Sequence, residues 1–200
     1  MIELLLAPRC AGCDAPGTWL CLDCREACDP VKRSGGRLTA AGTYGGPLRR
    51  AIHRFKYDGE RALASELGAL VAERVAADLA RGQVLDVVVP AVLHVERIRQ
   101  RGYDQAALLA AEVATRCALP LRSPLRRVRA SRPQVDLDRA EREENLRGAF
   151  IAGVDQSLRG LRVALVDDVA TTGATLAAAT VALRAAGARE VRGYVIALDE

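Results

Sequence analysis

The chain has 200 residues, half of them apolar, which suffices for one domain with its own core and a small appendage. Its net charge of +4 permits anionic ligands but is too small to demand nucleic acid. No apolar run could cross a bilayer, and the first ten residues carry Glu3 and no basic leader, so we predict a cytoplasmic protein without a signal peptide or membrane insertion.

The amino-terminal segment carries two Cys-x-x-Cys pairs, formed by Cys10, Cys13, Cys21 and Cys24. Four thiolates at this spacing suit a tetrahedral Zn²⁺, and Pro16-Gly17 can reverse the chain between the pairs. Two disulfides are the alternative, which a reducing cytosol disfavours. We therefore predict a structural zinc knuckle in residues 1–34 and a main domain in residues 35–200.

The first half of the main domain alternates strand and helix patterns. The predicted elements are a short strand at 38–44, a helix from Pro47, a helix at 62–81 that Gly82 ends, a buried strand at 86–90 and a helix at 103–117. Alternation of this kind is typical of an α/β protein with a parallel sheet.

A basic loop is predicted at 91–102, between the strand and the helix that flank it. An arginine fork can donate two hydrogen bonds at once, so this loop is placed to hold a pyrophosphate. Its candidate residues are Arg97, Arg99 and Arg101. The alternative is that this segment is an ordinary charged loop exposed to solvent. His94 also lies in it, and we assign no catalytic role to this histidine.

The second half of the domain is predicted to contain strands at 125–128, from Gly148, and at 191–198. Residues 129–147 are polar and poor in core residues, and so long a segment in a small domain is typical of a lid. The candidate lid residues are Arg129, Arg132, Arg139 and Arg142. A flexible surface excursion is the alternative.

The most informative stretch is 163–175. Residues 163–166 predict a buried parallel strand, and the acids Asp167 and Asp168 are expected to end it. A Thr/Gly loop then opens an Ala-rich helix, which places N–H groups and the positive end of a helix dipole where a phosphate can bind. The candidate phosphate-binding residues are Thr171, Thr172, Gly173, Ala174 and Thr175. The two carboxylates could bind either a divalent cation or the two hydroxyls of a ribose 5-phosphate. The alternative for the whole stretch is an ordinary buried strand and turn.

This order of strand, acid pair and Thr172-Gly173-Ala174-Thr175 resembles the fingerprint of the type I phosphoribosyltransferases, which bind phosphoribosyl pyrophosphate (PRPP). Further motifs narrow the resemblance to the ComF family. They are the two Cys-x-x-Cys pairs, Phe55-Lys56-Tyr57-x-Gly59, Arg99-x-Arg101-Gly102-Tyr103-x-Gln105 and Glu141-Arg142-x-x-Asn145-x-x-Gly148-Ala149-Phe150. The chain departs from the usual family pattern at Val92, normally Pro, and at Asp104, normally Asn.

The resemblance implies a type I phosphoribosyltransferase fold, with a parallel sheet flanked by helices, behind a small amino-terminal zinc knuckle with four cysteine ligands. It also implies PRPP binding with Mg²⁺ and transfer of the phosphoribosyl group, with Asp167 and Asp168 as catalytic residues. Thr171 stands where purine-salvage relatives carry an Asp, so the resemblance does not imply purine salvage.

A second function follows from the same resemblance, because many ComF proteins assist the uptake of single-stranded DNA in natural transformation beside a helicase-like ATPase. The alternative is therefore a non-catalytic protein that binds single-stranded DNA and competence partners. Only 4% of the residues are aromatic, which leaves few rings on which bases could stack.

Overall fold

The computed structural model describes residues 7–28, 37–128, 149–153 and 158–199. Its strands are β1 (Leu38–Thr43), β2 (Val87–Pro90), β3 (Leu125–Arg127), β4 (Phe150–Ala152), β5 (Arg162–Ala170) and β6 (Glu190–Leu198). Four of them form a parallel sheet in the order β1-β6-β5-β2, and β3 pairs with β4 in an antiparallel ladder. The predicted parallel α/β architecture is therefore confirmed.

In the described part of the chain, six helices surround this sheet, and four of them, which begin at Gly46, Leu63, Gln105 and Ala174, lie where the sequence pattern predicts. The helices are α1 (Leu22–Glu26), α2 (Gly46–Tyr57), α3 (Leu63–Ala80), α4 (Val95–Arg101), α5 (Gln105–Arg116) and α6 (Ala174–Ala185). Gly82 follows the end of α3 with φ +85°, a left-handed conformation that glycine adopts without strain.

Two apolar cores lie on opposite faces of the sheet, because alternate residues of a strand point to opposite sides. Val88, Ala164 and Val166 pack against α2, α3 and α5. Val89 and Val163 face the other way and pack with α6 and the β3–β4 pair. The central strands are thus covered on both sides, as a parallel sheet requires.

Two local predictions are wrong. Asp167 and Asp168 do not end β5, which continues to Ala170 because β6 runs beside it and supplies partners as far as Leu198. Residues 91–102 are not a plain loop but contain α4, whose first turn is capped by the His94 side chain accepting from the Glu96 N–H. The predicted lid, 129–147, lies outside the described residues.

All four parallel strands end at one edge of the sheet. The residues that follow β1, β2 and β6 are bonded to the neighbouring strand. The N–H groups of Tyr44, Ala91 and Asp199 donate to the carbonyls of Leu198, Val166 and Ala170, at 2.8, 2.8 and 2.9 Å. Ligands of parallel α/β folds bind at this edge, so a binding site is expected there.

Candidate functional site

A cavity of about 260 Å³ opens at the carboxyl edge of the sheet. It collects residues from all four parallel strand ends and from α2, α4, β3 and α6. The lining residues are Tyr44, Lys56, Ala91, Leu93, Arg97, Arg101, Arg127, Asp167, Asp168, Val169, Ala170, Thr171, Thr172, Gly173, Ala174, Thr175, Leu176 and Asp199. Nine of the ten residues that the sequence assigns to catalysis and PRPP binding therefore line one cavity, and Arg99 does not.

The Thr/Gly loop forms one wall of this cavity and leads directly into α6. Gly173 caps the helix with φ +73°, a conformation in which a larger residue would be strained. The Thr172 hydroxyl accepts a hydrogen bond from the Ala174 N–H at 3.3 Å, which shapes the first turn. The loop thus aims the amino end of a twelve-residue helix at the cavity, where an anion is favoured.

The acid pair lies on the floor of the cavity. Asp167 and Asp168 are each only 8% exposed, and each carboxylate accepts the next backbone N–H, from Asp168 at 2.8 Å and from Val169 at 2.6 Å. Burial, together with the neighbouring charge of Asp168, raises the pKa of Asp167 to about 8. Asp167 is therefore largely protonated near neutral pH until a ligand or cation favours its charged form.

Lys56 contacts this acid pair and was missed from the sequence. It lies in the last turn of α2, and its Nζ is 2.9 Å from Oδ2 of Asp168. Both side chains are largely buried, at 15% and 12% exposure, so the pair is poorly screened by water. The sequence does contain features that could have identified this residue. Lys56 is one of only two lysines in an Arg-rich chain, and it falls within a family motif.

The arginines of α4 divide between two faces of the helix. Arg97 and Arg101 are four residues apart and therefore share the face that lines the cavity. Arg99 points away and is exposed, so its predicted place in the site is not supported by the geometry. Arg101 donates from Nη1 to Oε1 of Gln105 at 3.1 Å, and its guanidinium lies 5.2 Å from the Tyr57 ring.

Arg127 of β3 is a second residue that the sequence did not reveal. It lines the cavity, and its guanidinium lies 5.4 Å from the ring of Phe150 on the paired strand. Burial lowers its pKa, although the charge of Asp167 works in the opposite direction. No local pattern marks this arginine, because only the packing of the β3–β4 pair brings it to the sheet edge. The four lid candidates, Arg129, Arg132, Arg139 and Arg142, lie outside the described residues.

Asp104 stabilises the rim of the cavity. Its two oxygens accept from the N–H of Leu93 at 3.0 Å, beside the cavity, and from that of Ala107 at 3.1 Å, in the first turn of α5. Burial raises its pKa, and the charge of Asp168 adds to the shift. This residue, which departs from the usual Asn, thus caps α5 and places a further acid near the pair.

The four predicted metal ligands come together at the amino terminus. Their Sγ atoms all lie within 4.8 Å of one another, and those of Cys13 and Cys21 are 3.7 Å apart. Sulfurs about 2.3 Å from a shared zinc ion in tetrahedral geometry would be about 3.8 Å apart, so the cluster could hold such a metal. Gly12 within the first pair is obligatory, since a Cβ there would lie 2.6 Å from Sγ of Cys24.

Backbone donors favour the thiolate form of one cysteine in this cluster. The Sγ of Cys10 accepts from the N–H groups of Gly12 and Cys21, at 3.4 and 3.3 Å. Burial disfavours its thiolate, but these backbone bonds outweigh burial and lower the pKa of Cys10 to about 6. A thiolate near neutral pH is the form that binds metal.

Known proteins match both the domain and the whole chain. The phosphoribosyl transferase domain family matches residues 68–200. Competence protein F of Haemophilus influenzae is 30% identical over 95% of this chain and 84% of its own. The chain belongs to the competence protein F family. DNA utilization protein YhgH of Salmonella typhimurium, 31% identical over 96% of this chain and 83% of its own, is another relative.

A solved structure is also similar, described as that of the allosteric regulatory enzyme of purine biosynthesis. It aligns over 72% of this chain and 30% of its own, at 23% identity. The TM-score is 0.49, too low to add to the family assignment. Among the described helices, none combines the length and the apolar character that a membrane span needs.

Proposed function

We propose that the cavity binds PRPP through its ribose 5-phosphate unit. The observation that carries the proposal is the meeting, in one cavity, of the Thr171–Thr175 loop, the acid pair and two arginines of α4. A helix amino end suits the dianionic 5-phosphate, and carboxylates suit the ribose diol. Arg97 and Arg101 remain for the pyrophosphate, whose oxygens match the guanidinium fork.

Magnesium fits this assignment as a companion of the ligand. Carboxylate oxygens are hard ligands, and Mg²⁺ is usually held by one or two of them together with substrate phosphates. Asp167 and Asp168 are the residues that would face it. When bound, the ion would offset the negative charge of the pyrophosphate. At the amino terminus, we propose that the metal of the four-cysteine cluster is a structural zinc.

The reaction that this arrangement supports is phosphoribosyl transfer. The bond between C1 of the ribose and the pyrophosphate oxygen breaks, its electron pair leaves with pyrophosphate, and an acceptor forms a new bond to C1. Arg97 and Arg101 stabilise the charge that grows on the leaving group. The buried carboxylates hold the diol and stabilise positive charge that develops on the sugar ring.

Calorimetry with PRPP and Mg²⁺ tests the proposal. We expect millimolar or tighter binding in the presence of Mg²⁺, and none for Asp167→Asn or Asp168→Asn. Arg99→Met is the matched control, because it also removes one charge but lies outside the cavity, and it should bind like the unmodified protein. Absence of heat at millimolar PRPP, with circular dichroism showing a folded protein, would overturn the assignment.

A second function is binding of single-stranded DNA, favoured by the relatives named for competence and DNA utilization. Tyr57 is 62% exposed and lies between His53, at a 4.8 Å ring separation, and the Arg101 guanidinium. An exposed ring beside a guanidinium group is suited to base stacking. Fluorescence anisotropy with a labelled oligonucleotide should show binding that Tyr57→Ala weakens and Asp167→Asn preserves. Equal affinity of Tyr57→Ala would contradict the role of this ring.

A further inference from the structure

Helix α2 contacts both the first Cys-x-x-Cys loop of the four-cysteine cluster and the acid pair. Its side chains Arg50 and Arg54 reach the knuckle, which we define as residues 7–28, and Lys56 in its last turn reaches the cavity. Four of its side chains are buried in the core: Leu48, Ala51, Ile52 and Phe55. The same core holds Cys10 and Cys24 of the cluster, so knuckle and helix share one packed interior.

Two arginines one helical turn apart tie α2 to the first Cys-x-x-Cys loop. Arg50 donates from Nε to the Gly12 carbonyl at 2.6 Å, and Arg54 donates from Nη1 to the Cys10 carbonyl at 3.4 Å. Both carbonyls belong to the loop that folds around the metal position. A Cβ on Gly12 would also come within 3.0 Å of Cβ of Pro47, so the loop lies directly on the start of α2.

The other end of the helix is fixed against the cavity. The Phe55 carbonyl accepts a hydrogen bond from the Tyr103 hydroxyl, just beyond the end of α4. Arg54 also donates from Nε to Oε1 of Glu60 at 2.9 Å, which fastens the turn that follows α2. Between these anchors, Lys56 extends to Asp168. The position of this ammonium therefore depends on contacts made at both ends of α2.

Charge balance explains why this position matters. An acid pair on the floor of the cavity repels an anionic ligand unless a cation compensates it. Lys56 supplies that cation from within the chain, and an ammonium with three donors can hold Asp168 and a ligand oxygen together. A displacement of α2 would remove the compensation without altering any residue of the Thr/Gly loop.

We propose that Lys56 is a PRPP-binding residue and that the knuckle positions it through Arg50 and Arg54. Metal occupancy of the cysteine cluster is thereby coupled to ligand affinity at the sheet edge. The inference rests on the proposed function, because it assumes that the cavity takes an anionic sugar phosphate.

The first experiment measures PRPP affinity after Lys56→Met. We expect the Kd to rise about tenfold or more, since the loss of a charge-assisted contact of about 1.4 kcal/mol already corresponds to tenfold. Lys56→Arg should recover part of the affinity because it restores the charge, and Arg99→Met should have no effect. If unmodified protein binds PRPP and Lys56→Met binds equally well, Lys56 has no binding role and only this inference fails. If unmodified protein does not bind PRPP, the proposed function itself fails.

A double-mutant cycle separates positioning from general damage. Arg54→Met should weaken PRPP binding several-fold in the unmodified protein but add nothing in a Lys56→Met background, because Arg54 acts only through Lys56. Circular dichroism confirms that each variant is folded. An equal loss in both backgrounds would mean that Arg54 acts independently, and would overturn the coupling.

Metal removal completes the test. Zinc content is followed by native mass spectrometry while a chelator is added, and PRPP affinity is measured on the same samples. We expect loss of metal to weaken PRPP binding in unmodified protein and to change it much less in Lys56→Met. Unchanged affinity in metal-free, folded protein would overturn the role of the knuckle. If chelation unfolds the chain, the double-mutant cycle of Arg54→Met and Lys56→Met decides whether the knuckle positions Lys56.

Discussion

Asp167→Asn should stabilise the protein while abolishing its ligand binding. Burial raises the pKa of this carboxyl from 3.8 to about 8, so the folded state resists its ionisation. An amide carries no charge at any pH, and its oxygen can still accept the Asp168 N–H that Asp167 accepts at 2.8 Å. The substitution therefore removes an electrostatic penalty and keeps a hydrogen bond.

The magnitude follows from the two pKa values. In the unfolded chain the pKa of this carboxyl is about three units below pH 7, and each unit is worth about 1.4 kcal/mol. The electrostatic penalty of folding at pH 7 is therefore at most about 4 kcal/mol. The amide NH₂ needs a partner of its own in a buried place, which offsets part of the gain. We expect the free energy of unfolding to rise by about 1–3 kcal/mol at pH 7.

The sign of the pH dependence is a second part of this prediction. Because the folded pKa lies above the unfolded one, unmodified protein loses stability as pH rises from about 4 to about 8. Asp167→Asn lacks that slope, so its advantage should shrink toward zero as pH falls to 4. The difference between the two proteins, rather than either curve alone, isolates this group.

Asp168→Asn is the matched control one residue along. It removes the carboxylate that pairs with Lys56 at 2.9 Å and leaves a largely buried ammonium without its closest partner, so we expect no gain in stability. Urea unfolding followed by circular dichroism at pH 5, 6 and 7 measures both variants, and calorimetry measures PRPP. A less stable Asp167→Asn, or a gain that does not change with pH, would refute the reasoning.

Three further predictions concern other parts of the chain. Asp86 accepts two hydrogen bonds from the Arg162 guanidinium, both at 2.8 Å, which lower its pKa to about 2. Asp86→Asn should therefore lose about 1–2 kcal/mol of stability at pH 7, and progressively less as pH falls toward 2, as measured by urea unfolding. Gly173→Ala should lose about 1 kcal/mol because of its positive φ and should also weaken PRPP binding in calorimetry. Cys13→Ser should lower the metal content found by mass spectrometry, whereas Cys117→Ser, outside the cluster, should not.

Local patterns revealed much of this molecule. The β5 strand, the Thr/Gly loop and the start of α6 are continuous in sequence, and their structure depends on hydrophobic runs and glycine conformations that neighbouring residues determine. The cysteine pairs have the spacing that a tetrahedral metal needs, and their four sulfurs meet as expected. Where prediction erred locally, as at the end of β5, the missing information was the partner strand β6.

The sequence by itself determined the fold class, the acid pair, the Thr/Gly loop and the cysteine cluster, because each is built from residues close together in the chain. Only the tertiary structure determined which cationic side chains lie in the cavity beside the acid pair. Lys56, about 110 residues before Asp168, reaches it because α2 packs across one face of the sheet, and Arg127 enters because β3 pairs with β4. Arg99 is excluded by the rotation of a helix rather than by its chemistry. Contacts between distant segments depend on how whole elements pack, and no short pattern of residues encodes that packing.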